Sequence, residues 1–332
     1  MSTDTIHIAG IDTPVRRVAL GTWAIGGWMW GGPDDDNGVR TIHKALDEGI
    51  NLIDTAPVYG FGHSEEVVGR ALAEKPGHRA LIATKLGLNW SGEGNDRKVF
   101  RDSRPERIRK EVEDSLRRLR VETIDIEQIH WPDDKTPIDE SARVLEKLHK
   151  DGKIRALGVS NFSPAQMDIF REVAPIATIQ PPLNLFERTI EKDILPYAEK
   201  HKAVILAYGA LCRGLLTGKM NASTSFPKDD LRSGDPKFQK PNFEHYLAAV
   251  EDFRKLAEKR GKSVMAFAVR WVLDQGPVIA LWGARKPSQV ENVNDVFGWN
   301  LTDEDRRAVD EILARHVPKP IDPTFMAPPN RD

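Results

Sequence analysis

The chain has 332 residues, 40% of them hydrophobic and 30% charged, and its 48 basic and 50 acidic side chains leave a formal charge of −2. That is an ordinary globular composition, and the absence of any basic block removes the electrostatic footprint of a nucleic-acid binder. No apolar run approaches the ~18 residues of a membrane span, MSTDTIHIAG lacks a signal-peptide pattern, and the single Cys212 excludes an internal disulfide framework or a Cys-based zinc site. A cytoplasmic, reducing compartment is expected.

Short strands at Ile6–Ile8 and Val15–Arg17 flank the turn-rich AGIDTP and form a predicted hairpin, and Val18–Gly21 begins a buried strand. A helical pattern runs from Val39 to Glu48 and stops at Gly49. NLIDTA is a strand, and Ser64 is expected to cap the helix SEEVVGRALA. ALIATK follows as a strand, and Ser103 with Glu106 predicts a capping box for the next helix. The alternation goes on: strand IDIEQIH, helix Ile138–Lys150, strand IRALGVS, then a helix opened by Ser163, Pro164 and Gln166 as a second capping box. Strand IATIQ, helix Asp193–His201 and strand AVILAY lead into a long loop, Thr224 to Pro241, rich in Pro, Asp, Lys and Ser. Helices near Tyr246–Arg260 and Ser263–Gln275, strand VIALW, a helix from about Pro287, a helix after Thr302 and a Pro-rich tail complete the chain.

A repeated βα alternation requires a parallel sheet covered by helices. Eight such units, with no compositional break, predict one domain over 1–332 folded as a (β/α)₈ barrel with a short N-terminal β-hairpin and long βα loops; a doubly wound sheet is the competing arrangement. The loop 224–241 then reads as a βα loop over the site rather than a linker.

In a parallel barrel the active site lies where the strand C-termini open into loops. Here polar residues stand at strand end after strand end: Asp54 with Tyr59 in the following loop, Lys85, His130, Ser160-Asn161, Gln180 and Tyr208. Singly, each has a bland reading as a solvated or capping residue. Jointly they converge on one space and make a plausible proton-transfer site. A free phenol, with a pKa of about 10, is a poor acid near neutrality. An adjacent Lys85 ammonium is expected to lower the pKa of Tyr59, with Asp54 orienting Lys85 and His130 either bonding the substrate oxygen or shuttling the proton. Tyr59 would then protonate a carbonyl oxygen as hydride reaches its carbon.

A G-x-G-x-x-G fingerprint is absent, since GFGHSE has Glu65 in the third glycine position. This argues against a Rossmann domain but not against a nicotinamide cofactor. WGARKPSQVEN at 282–292 lies after the last strand, where barrels often place a phosphate site, and Arg285 there suits a 2′-phosphate; a solvated basic turn is an equal reading of the same residues.

Together, NLIDTAPVYGFGHSEEVVGRAL, ATKLG, DIEQIHWPD and GVSNF resemble the aldo-keto reductase superfamily over nearly the whole chain. The resemblance implies a catalytic tetrad of Asp54, Tyr59, Lys85 and His130. It implies nicotinamide contacts from Asp54, Ser160, Asn161 and Gln180, ring stacking by Tyr208, and a nicotinamide end lined by Gly21, Thr22 and Trp23. AYGALCRGLLTGK is similar to the loop that wraps the pyrophosphate, which implicates Leu211, Arg213 and Gly214. Gly283, Arg285, Gln289 and Asn292 would bind the adenosine phosphate and adenine, and Trp23, Tyr59, His130 and Trp131 would line the substrate pocket.

GARKPSQVENVNDVFGW looks most like the bacterial family 11 branch, of NADP-dependent glycerol dehydrogenase and small-aldehyde reductase type. The implied activity is reduction of small aldehydes and ketones by NADPH and the reverse oxidation, glyceraldehyde and glycerol among the substrates, with no metal. Two departures bear on details: many relatives carry the final Glu-Asn pair one position later, where Val293 stands, and many have a Tyr at Leu183. The partner is a small carbonyl or alcohol, not nucleic acid or membrane, and no oligomer is predicted. A non-catalytic NADP(H)-binding protein resembling potassium-channel β subunits is the alternative.

Overall fold

The computed structural model describes residues 4–332, so the first three residues of MSTDTIHIAG lie outside the described part. Thr5–Ile6 (β1) and Val15–Arg16 (β2) pair antiparallel in the expected hairpin. Val18–Gly21 (β3), Leu52–Asp54 (β4) and Leu81–Leu86 (β5) follow. Leu88–Ser91 (β6) and Lys98–Arg101 (β7) then form a second antiparallel hairpin, which the sequence pattern does not predict. Ile124–Ile129 (β8), Ile154–Ser160 (β9), Thr178–Gln180 (β10), Val204–Ala207 (β11) and Val278–Gly283 (β12) complete the set. β3, β4, β5, β8, β9, β10, β11 and β12 close into a parallel eight-stranded barrel in chain order. The (β/α)₈ expectation holds and the doubly wound alternative falls.

The strands are runs of apolar residues because both their faces are covered. Inside the barrel, Ala19, Leu52, Leu81, Ala83, Ile126, Leu206 and Ile279 pack with Ile8, Ile11 and Val15 of the first hairpin, which plugs the N-terminal end. Outside it, a larger apolar layer joins the other strand face to the helices. With the lower barrel filled, polar side chains are left to the C-terminal mouth.

Tertiary contacts override some of the local capping signals. The Ser163/Gln166 box with Pro164 in the first turn is present. The Ser103/Glu106 box is not: Arg104 holds the cap position before Pro105, and its guanidinium forks onto Asp102 at 2.8 Å, while the Ser103 amide donates to Asp133. Ser64 does not cap either. The helix His63–Glu74 starts one residue earlier, after Gly62, and Ser64 turns inward to bond Thr22 and Thr55. The helix expected from Pro287 is a single 3₁₀ turn, Pro287–Gln289, followed by a second, Val293–Val296. The loop 224–241 gains order from Asp230 and Asp235, whose carboxylates cap the short turns Leu231–Ser233 and Pro236–Phe238. Among the described residues, no helix is long and apolar enough to cross a membrane.

Candidate active site

Register places the ionisable residues. Asp54 at the end of β4 pairs with Ala83 of β5, so Lys85, two residues on, projects from the same inward face just above it. Lys85 Nζ donates to both Asp54 carboxylate oxygens and to the Thr55 carbonyl at 2.9 Å, and to the Tyr59 hydroxyl at 3.2 Å. Lys85 is fully buried and Asp54 and Tyr59 nearly so. The Gln180 amide adds a 2.8 Å bond to Asp54. Tyr59 sits on a turn held tightly against the loop after β3: a Cβ at Gly26 would lie 2.5 Å from the Tyr59 carbonyl, and one at Gly60 only 2.2 Å from the Gly26 carbonyl. Only glycine permits that approach. Trp23 stacks on the Tyr59 ring at 5.7 Å, and His130, at the end of β8, meets it edge-on at 5.9 Å.

Burial governs the protonation states. It pushes the Tyr59 phenol above its ordinary 10; the Lys85 charge pulls the other way, with Asp54 opposing. The expected lowering by Lys85 is therefore real in sign but outweighed, because the pocket is closed to water. Burial disfavours the Lys85 charge, yet Asp54 and Tyr59 hold its pKa above the usual value. Burial, with Lys85 adding repulsion, drops His130 well below 6.5. At neutral pH the mouth thus holds a phenol, an ammonium and a neutral imidazole.

The other predicted residues gather around this centre. Ser160 Oγ donates to the Gln180 carbonyl at 2.8 Å, Asn161 Nδ2 to Ser160 Oγ and the His130 carbonyl at 3.0 Å, and the Tyr208 hydroxyl to Asn161 Oδ1 at 3.0 Å. Thr22 Oγ1 donates to the Asp54 carbonyl at 2.9 Å, and Thr22, Ser64 and Thr55 form a buried hydroxyl relay that fixes the end of β4. Trp131 and Trp23 join Val58, Tyr59 and Leu88 in an apolar wall, to which Val99 of the unpredicted second hairpin contributes. At the far side, Gly21 and Gly283 are paired across β3 and β12. A Cβ on Gly283 would meet nothing within 4 Å, which leaves a side-chain-free floor. Beyond it, Gln289 Oε1 accepts from the Arg285 and Lys286 amides at 2.8 and 3.0 Å, while the Arg285 guanidinium donates to the Trp30 carbonyl. Asn292 is exposed on the same segment, at the start of the second turn.

The turn after β11 carries a buried charge network. Cys212, Arg213 and Gly214 all have positive φ, and Leu211 is buried. The Arg213 guanidinium lies inside the protein, 3.0 Å from Glu187 and 3.4 Å from Asp235, and Lys237 completes the network 2.8 Å from Glu187. The sequence reading missed this network because its members lie far apart in the chain and belong to no local motif. Cys212 is a packed small residue whose thiol burial pushes up to about 12. Among the described residues, no group of three or more His, Cys, Asp or Glu is arranged to hold a metal. A polar cavity of about 280 Å³ lined by Trp90, Arg107, Lys110 and Arg118 lies against the helix Pro105–Leu119; no tetrad residue lines it.

Residues 17–314 match the family model described as Aldo/keto reductase family. The chain is a member of the aldo/keto reductase family. Its barrel superposes on the glycerol dehydrogenase AKR11B4 from Gluconobacter oxydans with a TM-score of 0.91 at 85% identity, covering 98% of this chain and 100% of that one. This aldo/keto reductase is also 54% identical to Aldo-keto reductase YhdN of Bacillus subtilis over 98% of both chains. An aldo/keto reductase from Klebsiella pneumoniae, solved in complex with NADP and acetate, aligns at 26% identity and a TM-score of 0.72, covering 93% and 95%.

Proposed function

We propose that this aldo/keto reductase reduces small aldehydes and ketones to alcohols with NADPH and catalyses the reverse oxidation, glyceraldehyde and glycerol being the pair that fits best. The observation that carries the reading is the Lys85 ammonium, bound at once to Asp54 and, at 3.2 Å, to the Tyr59 hydroxyl. A phenol held next to a buried cation can release its proton to a substrate oxygen, because the phenolate it becomes is stabilised where it forms.

The residues present fit the coenzyme. Gly21 and Gly283 leave a bare floor for close approach, Arg285 suits a 2′-phosphate, and Ser160, Asn161 and Gln180 offer neutral polar groups for a carboxamide beside the Tyr208 ring. Leu211, Arg213 and Gly214 would face the pyrophosphate, with Gln289 and Asn292 at the adenine end. When bound, the reduced nicotinamide supplies hydride to the carbonyl carbon. Tyr59 gives its proton to the carbonyl oxygen and Lys85 stabilises the phenolate left behind. Neutral His130 donates a ring N–H to the same oxygen and holds it toward Tyr59. Asp54 keeps Lys85 charged and in place. Trp23 and Trp131 shield the reacting centre from water. The substrate assignment draws on the 85% identical glycerol dehydrogenase, and the coenzyme on the Klebsiella complex with NADP.

The test is NADPH oxidation with glyceraldehyde by the purified protein and by Tyr59→Phe. The variant is expected to lose roughly 10²–10⁴-fold in kcat, the span of general acid catalysis, while binding NADPH as before. Full activity in Tyr59→Phe refutes the role of the phenol. Tight NADPH binding without turnover of glyceraldehyde or a wider carbonyl panel favours the regulatory alternative.

A further inference from the structure

The segment Trp28–Trp30, between the short helix Trp23–Gly26 and the helix Asp35–Asp47, sits between two regions proposed to take different ligands. On one side the Arg285 guanidinium, which suits the 2′-phosphate, donates to the Trp30 carbonyl. On the other, the Trp30 ring meets Trp23 edge-on at 5.8 Å, and Trp23 stacks on Tyr59 at 5.7 Å. The long loop 224–241 clasps the same segment: the Leu231 amide donates to the Met29 carbonyl at 2.9 Å, and Arg232, held at 2.7–2.8 Å by Asp230, lies 5.0 Å over the Trp30 ring.

Two features make this arrangement responsive rather than inert. The indole N–H groups of Trp23 and Trp30 are both buried without an acceptor, an arrangement with an unmet hydrogen-bonding demand. The Arg285 guanidinium has N–H donors beyond the one given to the Trp30 carbonyl, so a phosphate can bind the same group while that bond is kept.

We propose that Trp30 is a positioning residue that links occupancy of the Arg285 phosphate site to the substrate wall formed by Trp23 and Tyr59. Engagement by the coenzyme phosphate fixes the Arg285 guanidinium while it holds the Trp30 carbonyl, and the Trp30 ring transmits that restraint to Trp23. The 2′-phosphate then sets the affinity for the carbonyl substrate as well as the affinity for the coenzyme. This inference rests on the proposed function and adds to it a route by which the coenzyme phosphate regulates the substrate pocket.

A double-mutant cycle on glyceraldehyde KM at saturating NADPH tests it. Arg285→Ala and Trp30→Ala are each expected to raise KM about fivefold, the low end of coupling between linked sites, and the double variant no further than either single. Trp30→Phe, which keeps an aromatic edge toward Trp23, is expected to return KM to within about twofold of the parent, inside the scatter of additive changes. Multiplicative effects in the double variant make Trp30 a plain wall residue and overturn the link, as does an unchanged KM in Arg285→Ala. Absence of NADPH-dependent turnover in the parent protein sinks the proposed function itself, whereas turnover with independent effects sinks only the link.

Discussion

Replacing Lys85 by Met tests the electrostatic centre of the site, because it removes the charge while filling much of the same volume. Lys85 is fully buried and Asp54 is 3% exposed, so the variant strands a carboxylate with the Gln180 amide at 2.8 Å but no cation. Removing one partner of a buried ion pair costs about 3–5 kcal/mol, since the other charge stays desolvated. An unfolding entropy of about 2.1 cal/mol/K per residue gives roughly 0.7 kcal/mol/K for a chain of this length, so the melting temperature is expected to fall by about 4–7 °C. Thermal melts followed by circular dichroism, for Lys85→Met and for Lys85→Met with Asp54→Asn, make the check; the added neutral amide should recover most of the loss. A single variant that melts within about 1 °C of the parent, as an exposed pair worth under ~1 kcal/mol would, refutes the buried-pair argument and with it the stabilisation assigned to the Tyr59 phenolate.

Three further outcomes follow from the same physics. Glu127 is fully buried, both its carboxylate oxygens lack a partner, and burial with Glu65 and Glu111 nearby raises its pKa well above 4.5. A raised carboxyl stabilises the fold below its unfolded pKa and loses that contribution as pH rises, so Glu127→Gln should melt higher than the parent at about pH 8 and the gap should close toward pH 5; equal gaps refute a buried neutral acid. Gly283→Val meets no atom within 4 Å of its new Cβ, so stability should hold while NADPH Kd rises at least about tenfold, ~1.4 kcal/mol; unchanged binding removes the floor from the coenzyme site. With His130 pushed well below 6.5 and Tyr59 above 10, neither titrates near neutrality, so the reduction rate should stay flat from about pH 7 to pH 9 and an inflection within that window refutes a neutral His130.

The barrel was legible because parallel strands buried on both faces read as short apolar runs, and most of them ended in a polar residue. The gathering of Asp54, Tyr59, Lys85 and His130 was legible for the same reason, and the register of β4 on β5 turned adjacency in the mouth into contact between Asp54 and Lys85. What escaped reading has physical causes. The hairpin β6–β7 carries LNWS and KVFR around a charged turn, a pattern too polar and too short for periodicity to pick out. Ser64 carries a strong capping signal, but its hydroxyl is spent on Thr22 and Thr55, so a tertiary network outcompeted the local one. The phenol's raised pKa was missed because sequence shows which charge is near Tyr59 but not how dry the pocket is.

Dryness also explains why the site uses a carboxylate at all. A lone ammonium at the position of Lys85 would lose its proton to burial, and an uncharged amine could not stabilise a phenolate. Asp54 prevents this, and the Gln180 amide with the Lys85 ammonium supplies the hydrogen bonds that Asp54 itself needs in a pocket without water. The same solution recurs after β11, where Glu187 and Asp235 hold Arg213 and Lys237 inside the protein. The first network places its cation next to an ionisable hydroxyl, and the second places its cations next to further carboxylates. Only the first therefore couples a stored charge to a proton that can leave, which is why the chemistry is assigned to Tyr59 and the second network to holding the loop 224–241 against the barrel.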